Sequence, residues 1–265
     1  MRGTEEAAPL QIVLFHASLH RIPSEVVSTK RYQSLLCLLL LPLLALASPR
    51  GGNAAAVLSP VMPRYIALTF DDGPSSEATP LLLDGLKERG AHATFFLIGD
   101  QIAGAEELVL RMQDEGHQIG NHTFSHVRLD RSSSAGMEEL SKTDALLREL
   151  LGAGEYWIRP PWGFVSDAVR QSVDVPLIYW AVDTEDWSVL NSGKVARKIV
   201  QNVQDGDIVL LHDIYPSSVE AALQAIDELS AQGYQFVTVE ELFALNGITP
   251  QSGRFYVRPD REVNW

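Results

Sequence analysis

The chain has 265 residues, 46% of them hydrophobic, and a formal net charge of -13. That length and apolar content suit one large domain or two small ones, and near-average glycine and proline exclude wholesale disorder. The acidic balance excludes a general nucleic-acid binder and makes a strongly anionic polymer an awkward substrate. The first feature along the chain is the apolar run Leu35 to Leu46, preceded by Lys30 and Arg31 and closing on Ala45-Leu46-Ala47. A run of about a dozen residues is short for a membrane span. Basic flank, short greasy core and small-x-small end predict a secretory signal over residues 1–47, with an atypical extension ahead of the core. A start at Val26 or Val27 would remove that extension; a buried core helix or a short membrane anchor is the other reading of the run. Cys37, the single cysteine, lies inside it. A lipoprotein cleavage site is therefore not expected, and neither a disulfide within the chain nor a cysteine-based zinc site can form. Any metal has to be held by histidine and carboxylate.

Residues 48–62, rich in Gly, Ala, Ser and Pro, read as a linker, and a domain is expected over 63–247. Strands are predicted at Tyr65–Phe70, Ala93–Ile98, Gln118–Gly120, Tyr156–Ile158, Leu177–Val182, Asp207–Leu211 and Gln235–Val239. Between them, helical patterns cover Thr79–Glu88, Ala105–Glu115, Ser134–Leu150, Lys194–Val203 and Ser218–Ala231, with Gly90, Gly116 and Gly233 where C-caps belong. This alternation of about seven units predicts a parallel sheet, open or closed into a barrel. In such folds the site gathers at the carboxyl ends of the strands. Residues 248–265 carry no periodic pattern and read as a tail, either a surface strap or a loose end.

The chemistry-bearing side chains fall at those strand ends. Asp71 and Asp72 close the first strand in TFDDGP, and adjacent residues there point in different directions, so the two carboxylates can take two jobs. A plain polar turn is the alternative for this pair taken alone. His122 and His126 follow the third strand, Arg159 the fourth, Asp183 and Asp186 the fifth, His212 and Asp213 the sixth. On a helical turn the four-residue spacing of His122 and His126 puts both imidazoles on one face, ready for one metal. With one carboxylate they form a two-histidine, one-carboxylate set with open positions for water, the pattern of a catalytic site. Zinc is the default ion, and Co, Ni, Mn or Fe suit the same ligands. His92 and His117 lie away from the strand-end side and receive no role.

TFDDGP, HTFSH, RPPWG, DTEDW and LLHD occur in this order. Together they resemble the polysaccharide deacetylases of the NodB-homology type, carbohydrate esterase family 4, over about Tyr65 to Leu245. The resemblance implies an α/β fold, a distorted (β/α) barrel of about seven parallel strands, and removal of N-acetyl groups from GlcNAc-containing glycans such as peptidoglycan, chitin-type oligomers or poly-GlcNAc. It implies one divalent ion on Asp72, His122 and His126, with Asp71 as base, Arg159 on the base and His212 as acid. Asp183 is expected to tune His212, with Asp186 second in line. Trp162 stands where the family's Tyr lends its backbone N–H to the oxyanion, a departure that leaves substrate preference open. Pro161, Trp187, Leu210, Leu211 and Asp186 are expected around the substrate pocket. A secreted, periplasmic or envelope enzyme is expected, monomeric, without a membrane span once the signal is cleaved, acting on an N-acetylated glycan and not on nucleic acid. An O-acetyl esterase of the xylan type and a non-catalytic glycan-binding relative are the alternatives.

Overall fold

The computed structural model describes residues 62–263, so the expected signal and nearly all of the expected linker lie outside the described residues. Along the chain run β1 (Arg64–Asp71), α1 (Ala78–Arg89), β2 (Thr94–Leu97), α2 (Gly99–Ile102), α3 (Glu106–Asp114), β3 (Gln118–Asn121) and α4 (Ser133–Leu151). A 3-10 turn (Pro161–Gly163) and α5 (Asp167–Arg170) lead to β4 (Leu177–Ile178), β5 (Val182–Asp183), α6 (Asp186–Val189) and α7 (Ser192–Asn202). Then come β6 (Ile208–His212), α8 (Pro216–Ser230), β7 (Tyr234–Phe236), α9 (Val239–Leu245), β8 (Phe255–Arg258) and β9 (Arg261–Glu262). The five predicted helices all form, within one or two residues of their expected bounds at each end. Gly90 caps α1 at φ 59°, and Gly116 and Gly233 take positive φ just beyond the ends of α3 and α8.

The strands pair in the order β3-β2-β1-β6-β5, all parallel, and β7 pairs with the first residues of β1. Isolated bridges from Asn121 to Ile158 and from Ile158 to Leu177 carry the ring on to β4, which pairs parallel with β8. This is the expected α/β arrangement, a parallel sheet curled into a distorted barrel. Two predicted strands are reduced. Tyr156–Ile158 survives as the bridges at Ile158, and Leu177–Val182 splits into β4 and β5 around Tyr179 and Trp180. The tail differs from expectation. Phe255 and Tyr256 are buried, β8 docks on β4, and β9 folds back antiparallel, so residues past 247 complete the sheet instead of lying loose.

Strand alternation sorts the side chains into two cores. Ile66, Leu68 and Phe70 of β1, Phe95 and Leu97 of β2, and Val209 and Leu211 of β6 face the helices. The intervening Ala67, Phe96 and Ile208 belong to the other core, with Trp157, Ile158 and Leu177. By the same two-residue period, Thr69, Asp71, Leu210 and His212 stand on the face turned away from the helices. Burying a large apolar side chain contributes about 1.5–3 kcal/mol. These layers give the strand ends a rigid base. Among the described residues no helix is long and apolar enough to cross a membrane.

Candidate active site

At the carboxyl end of the barrel, β1 and β6 stop level with one another, with Asp71 opposite His212 in the pairing register. A cavity of about 460 Å³ opens there, lined by Asp71, Asp72, His122, His126, Trp162, Tyr179, Trp180, Asp183, Trp187, Leu210, His212 and Tyr215.

On one wall Asp72 Oδ1 lies 3.5 Å from His122 Nε2 and 3.3 Å from His126 Nε2. The three candidate ligand atoms fall within 4.8 Å of one another. Three features suit this triad to a divalent ion. Asp72 Oδ1 is buried without a hydrogen-bond partner, a costly state that a cation would relieve. His122 Nδ1 donates to the Arg159 carbonyl at 2.6 Å, which fixes the tautomer and leaves Nε2 with its lone pair free. Burial, the largest influence on both imidazoles, holds His122 and His126 below the ordinary histidine range and so in the neutral form a metal needs. Burial likewise raises the Asp72 carboxyl in the absence of an ion.

The HTFSH segment is not the helical turn that its spacing suggested. Thr123 and His126 take φ 67° and 53°, and the segment is an irregular loop. Side chains hold its shape. The Asn121 carboxamide accepts from Thr123 N at 2.9 Å, and Glu139 Oε2 on α4 accepts from Phe124 N, Ser125 N and Ser125 Oγ at 3.1, 2.7 and 2.9 Å. Asp72 and Trp162 also have positive φ, at 73° and 53°. Such conformations cost of order 1–3 kcal/mol each and persist where the surroundings over-determine them.

Beside the triad, Asp71 Oδ1 accepts from Arg159 Nη1 at 2.8 Å, while its Oδ2 lies 3.7 Å from His122 Nε2. Arg159 is fully buried, and every arm is used. Nη1 also donates to Thr69 Oγ1 at 2.6 Å, Nη2 to the Tyr179 carbonyl at 2.9 Å and Nε to the Ile178 carbonyl at 3.3 Å. Its guanidinium carbon sits 4.2 Å from the Phe96 ring centroid. Fixed on five sides, it holds the Asp71 carboxylate in one orientation beside the triad.

At the end of the paired strand β6, His212 Nδ1 lies 2.8 Å from Asp186 Oδ1, and His212 N donates to Asp186 Oδ2 at 2.8 Å. Burial alone would lower this imidazole. The Asp186 hydrogen bond and charge, helped by Asp71 and Asp72, outweigh it and push His212 up to about 9. Burial would raise Asp186, but the hydrogen bond and charge of His212 win and hold it below the ordinary range. The partner of His212 is thus Asp186 and not Asp183, which corrects the expected order. Asp183 is exposed at the cavity rim, and its Oδ1 accepts from Glu185 N at 2.9 Å. Glu185, at φ 55°, then reverses the chain and brings Asp186 back under His212.

Three further expectations change. Asp186, expected around the substrate pocket, is buried behind His212 and is not part of the cavity lining. Leu210 lines the cavity, whereas Leu211 is buried against the helices on the far face of β6. Pro161 is buried in the 3-10 turn and does not reach the cavity lining; Trp162 beside it does, 55% exposed, with its ring centroid 4.2 Å from that of His126. Trp187, 56% exposed, forms another part of the lining. Tyr179, Trp180 and Tyr215 were not anticipated. Tyr215 follows His212 by three residues, a signal within reach of sequence reading; Tyr179 and Trp180 look in sequence like core aromatics.

The site offers a candidate metal triad, a carboxylate oriented by a buried guanidinium, and an imidazole whose basicity is raised by a buried carboxylate. Residues 59–174 match the polysaccharide deacetylase family model. The chain is 41% identical over 181 residues to peptidoglycan-N-acetylglucosamine deacetylase PgdA of Listeria monocytogenes serotype 1/2a, a match covering 68% of this chain and 39% of that protein. The chain therefore spans about two-fifths of the length of that relative. A Bacillus cereus peptidoglycan-N-acetylglucosamine deacetylase is 37% identical over 187 residues, covering 68% of this chain and 88% of the relative. The structure of a family 4 acetyl xylan esterase from Clostridium thermocellum, in complex with a cobalt ion, superposes with a TM-score of 0.71 at 30% identity, covering 75% of this chain and all of that one. On its ordered motifs, its fold and these matches, the chain belongs to the metal-dependent polysaccharide deacetylases of carbohydrate esterase family 4, the NodB-homology group.

Proposed function

We propose that the protein is a hydrolase that removes N-acetyl groups from GlcNAc-containing glycans, with peptidoglycan as the first substrate to test, and releases acetate. The observation that carries this reading is the 2.8 Å contact of buried Asp186 with His212, which favours the imidazolium, beside Asp71 on the paired strand. An amide leaves as an amine and needs a proton at its nitrogen; an ester has a better leaving group and needs less help. A cavity lined by both a proton acceptor and a proton donor is matched to the harder substrate.

Asp72, His122 and His126 would hold one divalent ion, zinc by default for such ligands. When bound, the ion supplies Lewis acidity and an acidified water. The protein's own groups do the rest. Asp71 takes the proton of the attacking water, and Arg159, locked by its five partners, keeps the accepting oxygen oriented. The Trp162 backbone N–H is assigned to the developing oxyanion. Leu210 walls the methyl of the acetyl group, Trp187 offers an apolar face to the sugar, and His212 returns a proton to the departing amine. Asp183, at the rim, is left with substrate contact. Export, expected from the Leu35–Leu46 run, would bring the enzyme to the cell wall, and a monomer suffices because one chain supplies every group named here.

The test is mass spectrometry of acetate loss from a glycan panel, using purified, metal-loaded protein. Peptidoglycan fragments and N-acetylated chitooligosaccharides should lose 42-dalton acetyl units (about one per turnover) ahead of acetylated xylan. Faster loss from xylan would replace the amide reading by the esterase one, and binding of glycan without acetate release would make the protein a non-catalytic relative.

A further inference from the structure

The mechanism leaves unused a fully buried acid next to the site. Asp213 follows His212 at the end of β6, is fully buried, and turns away from the cavity, since strand neighbours face opposite sides. Its Oδ2 accepts from the Thr79 hydroxyl, while its Oδ1 has no hydrogen-bond partner. An acid this buried and only half satisfied is an expensive core residue, so its geometry calls for a reason.

That geometry leads to the metal ligand Asp72. The carboxyl group of Asp213 lies against Gly73, the residue after Asp72. A Cβ at position 73 would come within 2.3–2.7 Å of the Asp213 carboxyl atoms. Thr79, at the start of α1, accepts from Ser75 N at 2.8 Å with the same oxygen whose proton goes to Asp213. Ser75 in turn accepts from Thr79 N at 3.2 Å. The turn that follows Asp72 is thus tied at Ser75 to Thr79, and Thr79 is tied to Asp213. Gly73 is pinned from the other side by Ile98 N, which donates to its carbonyl at 3.0 Å. Asp72 itself sits at φ 73°, a conformation uncommon outside glycine and one that the turn must keep in place.

We propose that Asp213 is a positioning residue for the metal site: with Thr79 it clamps the turn after Asp72 and holds that carboxylate where His122 and His126 can share an ion with it. The dipeptide His212-Asp213 then serves both halves of the site, one side chain facing the cavity and the other bracing the ligand turn from behind. This rests on the reading of Asp72, His122 and His126 as the metal triad.

The experiment is a zinc titration of the metal-stripped protein against a chromophoric chelator, with folding followed by near-UV circular dichroism. Asp213→Ala and Thr79→Val should each weaken zinc binding about 10- to 100-fold, the usual effect of removing a group that orients a ligand. Asp213→Asn, which keeps the shape and the acceptor for Thr79, should bind within about threefold of wild type. Wild-type affinity in a folded Thr79→Val or Asp213→Ala protein overturns the proposal, as does an Asp213→Asn protein as weak as Asp213→Ala. Should Asp213→Ala fail to fold, Thr79→Val, close in size to the native residue, decides alone. A wild-type protein that takes up no zinc, cobalt or nickel sinks the triad reading and this proposal with it. Tight wild-type binding with unaffected variants sinks the proposal only.

Discussion

His122 and His126 share a cavity with His212, yet the protein drives the two sets of imidazoles in opposite directions. Burial is the largest influence on all three. For His122 and His126 the opposing influences are too weak: Asp71, Asp72 and the Arg159 carbonyl raise His122, and Asp71 and Asp100 raise His126, but no carboxylate is hydrogen-bonded to either ring and burial wins. For His212 it is overturned by one short contact to a buried carboxylate, Asp186, whose second oxygen is spent on the His212 backbone. A neutral imidazole offers a lone pair to a metal; a charged one offers a proton to a leaving group. Residue type is the same in both sets, and the partner decides the chemistry.

The most damaging way to break the contrast is to remove the lone pair. His122→Ala should cut divalent-metal affinity more than about a hundredfold, beyond the loss seen when only a supporting group is removed, and should abolish acetate release with it. Metal content by plasma emission spectrometry after dialysis checks this, and full occupancy in the variant would remove His122 from the ligand set. Asp71→Asn should separate binding from chemistry. It keeps the metal and loses roughly a hundredfold to ten-thousandfold in turnover, the contribution of a positioned base. If Asp71→Asn loses the metal while Asp72→Asn keeps it, the roles of the two neighbours are reversed.

The charged wall is tested by its leaving group. His212→Ala should lower amide hydrolysis by about a hundredfold or more, yet barely change hydrolysis of an activated aryl acetate, whose leaving group departs without a proton. Equal losses on both substrates would reassign His212 to binding. Asp186→Asn sharpens the same point through pH. In the metal-free protein the His212 imidazole should titrate at about 9, followed by NMR, and the variant should bring it back toward the ordinary value near 6.5. The sign for stability follows. Folding raises this group, so its stabilising contribution is complete below about pH 6.5 and is lost as pH rises through about 9. The variant's thermal midpoint should therefore change less than the wild type's across that window. Asp183→Asn should leave both measurements alone.

That last contrast marks where the sequence stops being readable. Asp71, Asp72, His122, His126, Arg159 and His212 could be placed because each falls at or shortly after a predicted strand, and a parallel barrel gathers strand ends at one mouth. Asp186 could not be ranked above Asp183, because its position depends on Glu185 taking φ 55°, a reversal that a glutamate does not announce. The same holds for the HTFSH loop, where positive φ at Thr123 and His126 replaces the expected helical turn while still bringing the two Nε2 atoms to Asp72. Leu210 and Leu211 were separable only once β6 was known to end at His212, since a one-residue change of strand phase exchanges their faces. The tail gave no signal because β8 has four residues and pairs with a strand of two, too short for any period to show.

The smallest expected effect concerns Trp162, which stands between the two walls in function. Its backbone, at φ 53°, is assigned to the reacting centre, whereas its indole covers the His126 ring and is 55% exposed. Trp162→Tyr keeps the backbone N–H and an aromatic face, and gives up only part of the indole surface. A change on so exposed a side chain should alter kcat on a chitooligosaccharide by no more than about twofold to threefold, with the larger change in KM, because a stacking surface contributes to binding and not to bond cleavage. Metal affinity should be unchanged, since the indole touches the His126 ring and not its position in the loop. Steady-state kinetics on oligomers of increasing length would show the KM effect growing with length if the indole meets a neighbouring sugar. A hundredfold fall in kcat at constant KM would instead tie the indole to the reacting centre, and the distinction between its backbone and side-chain roles would fail.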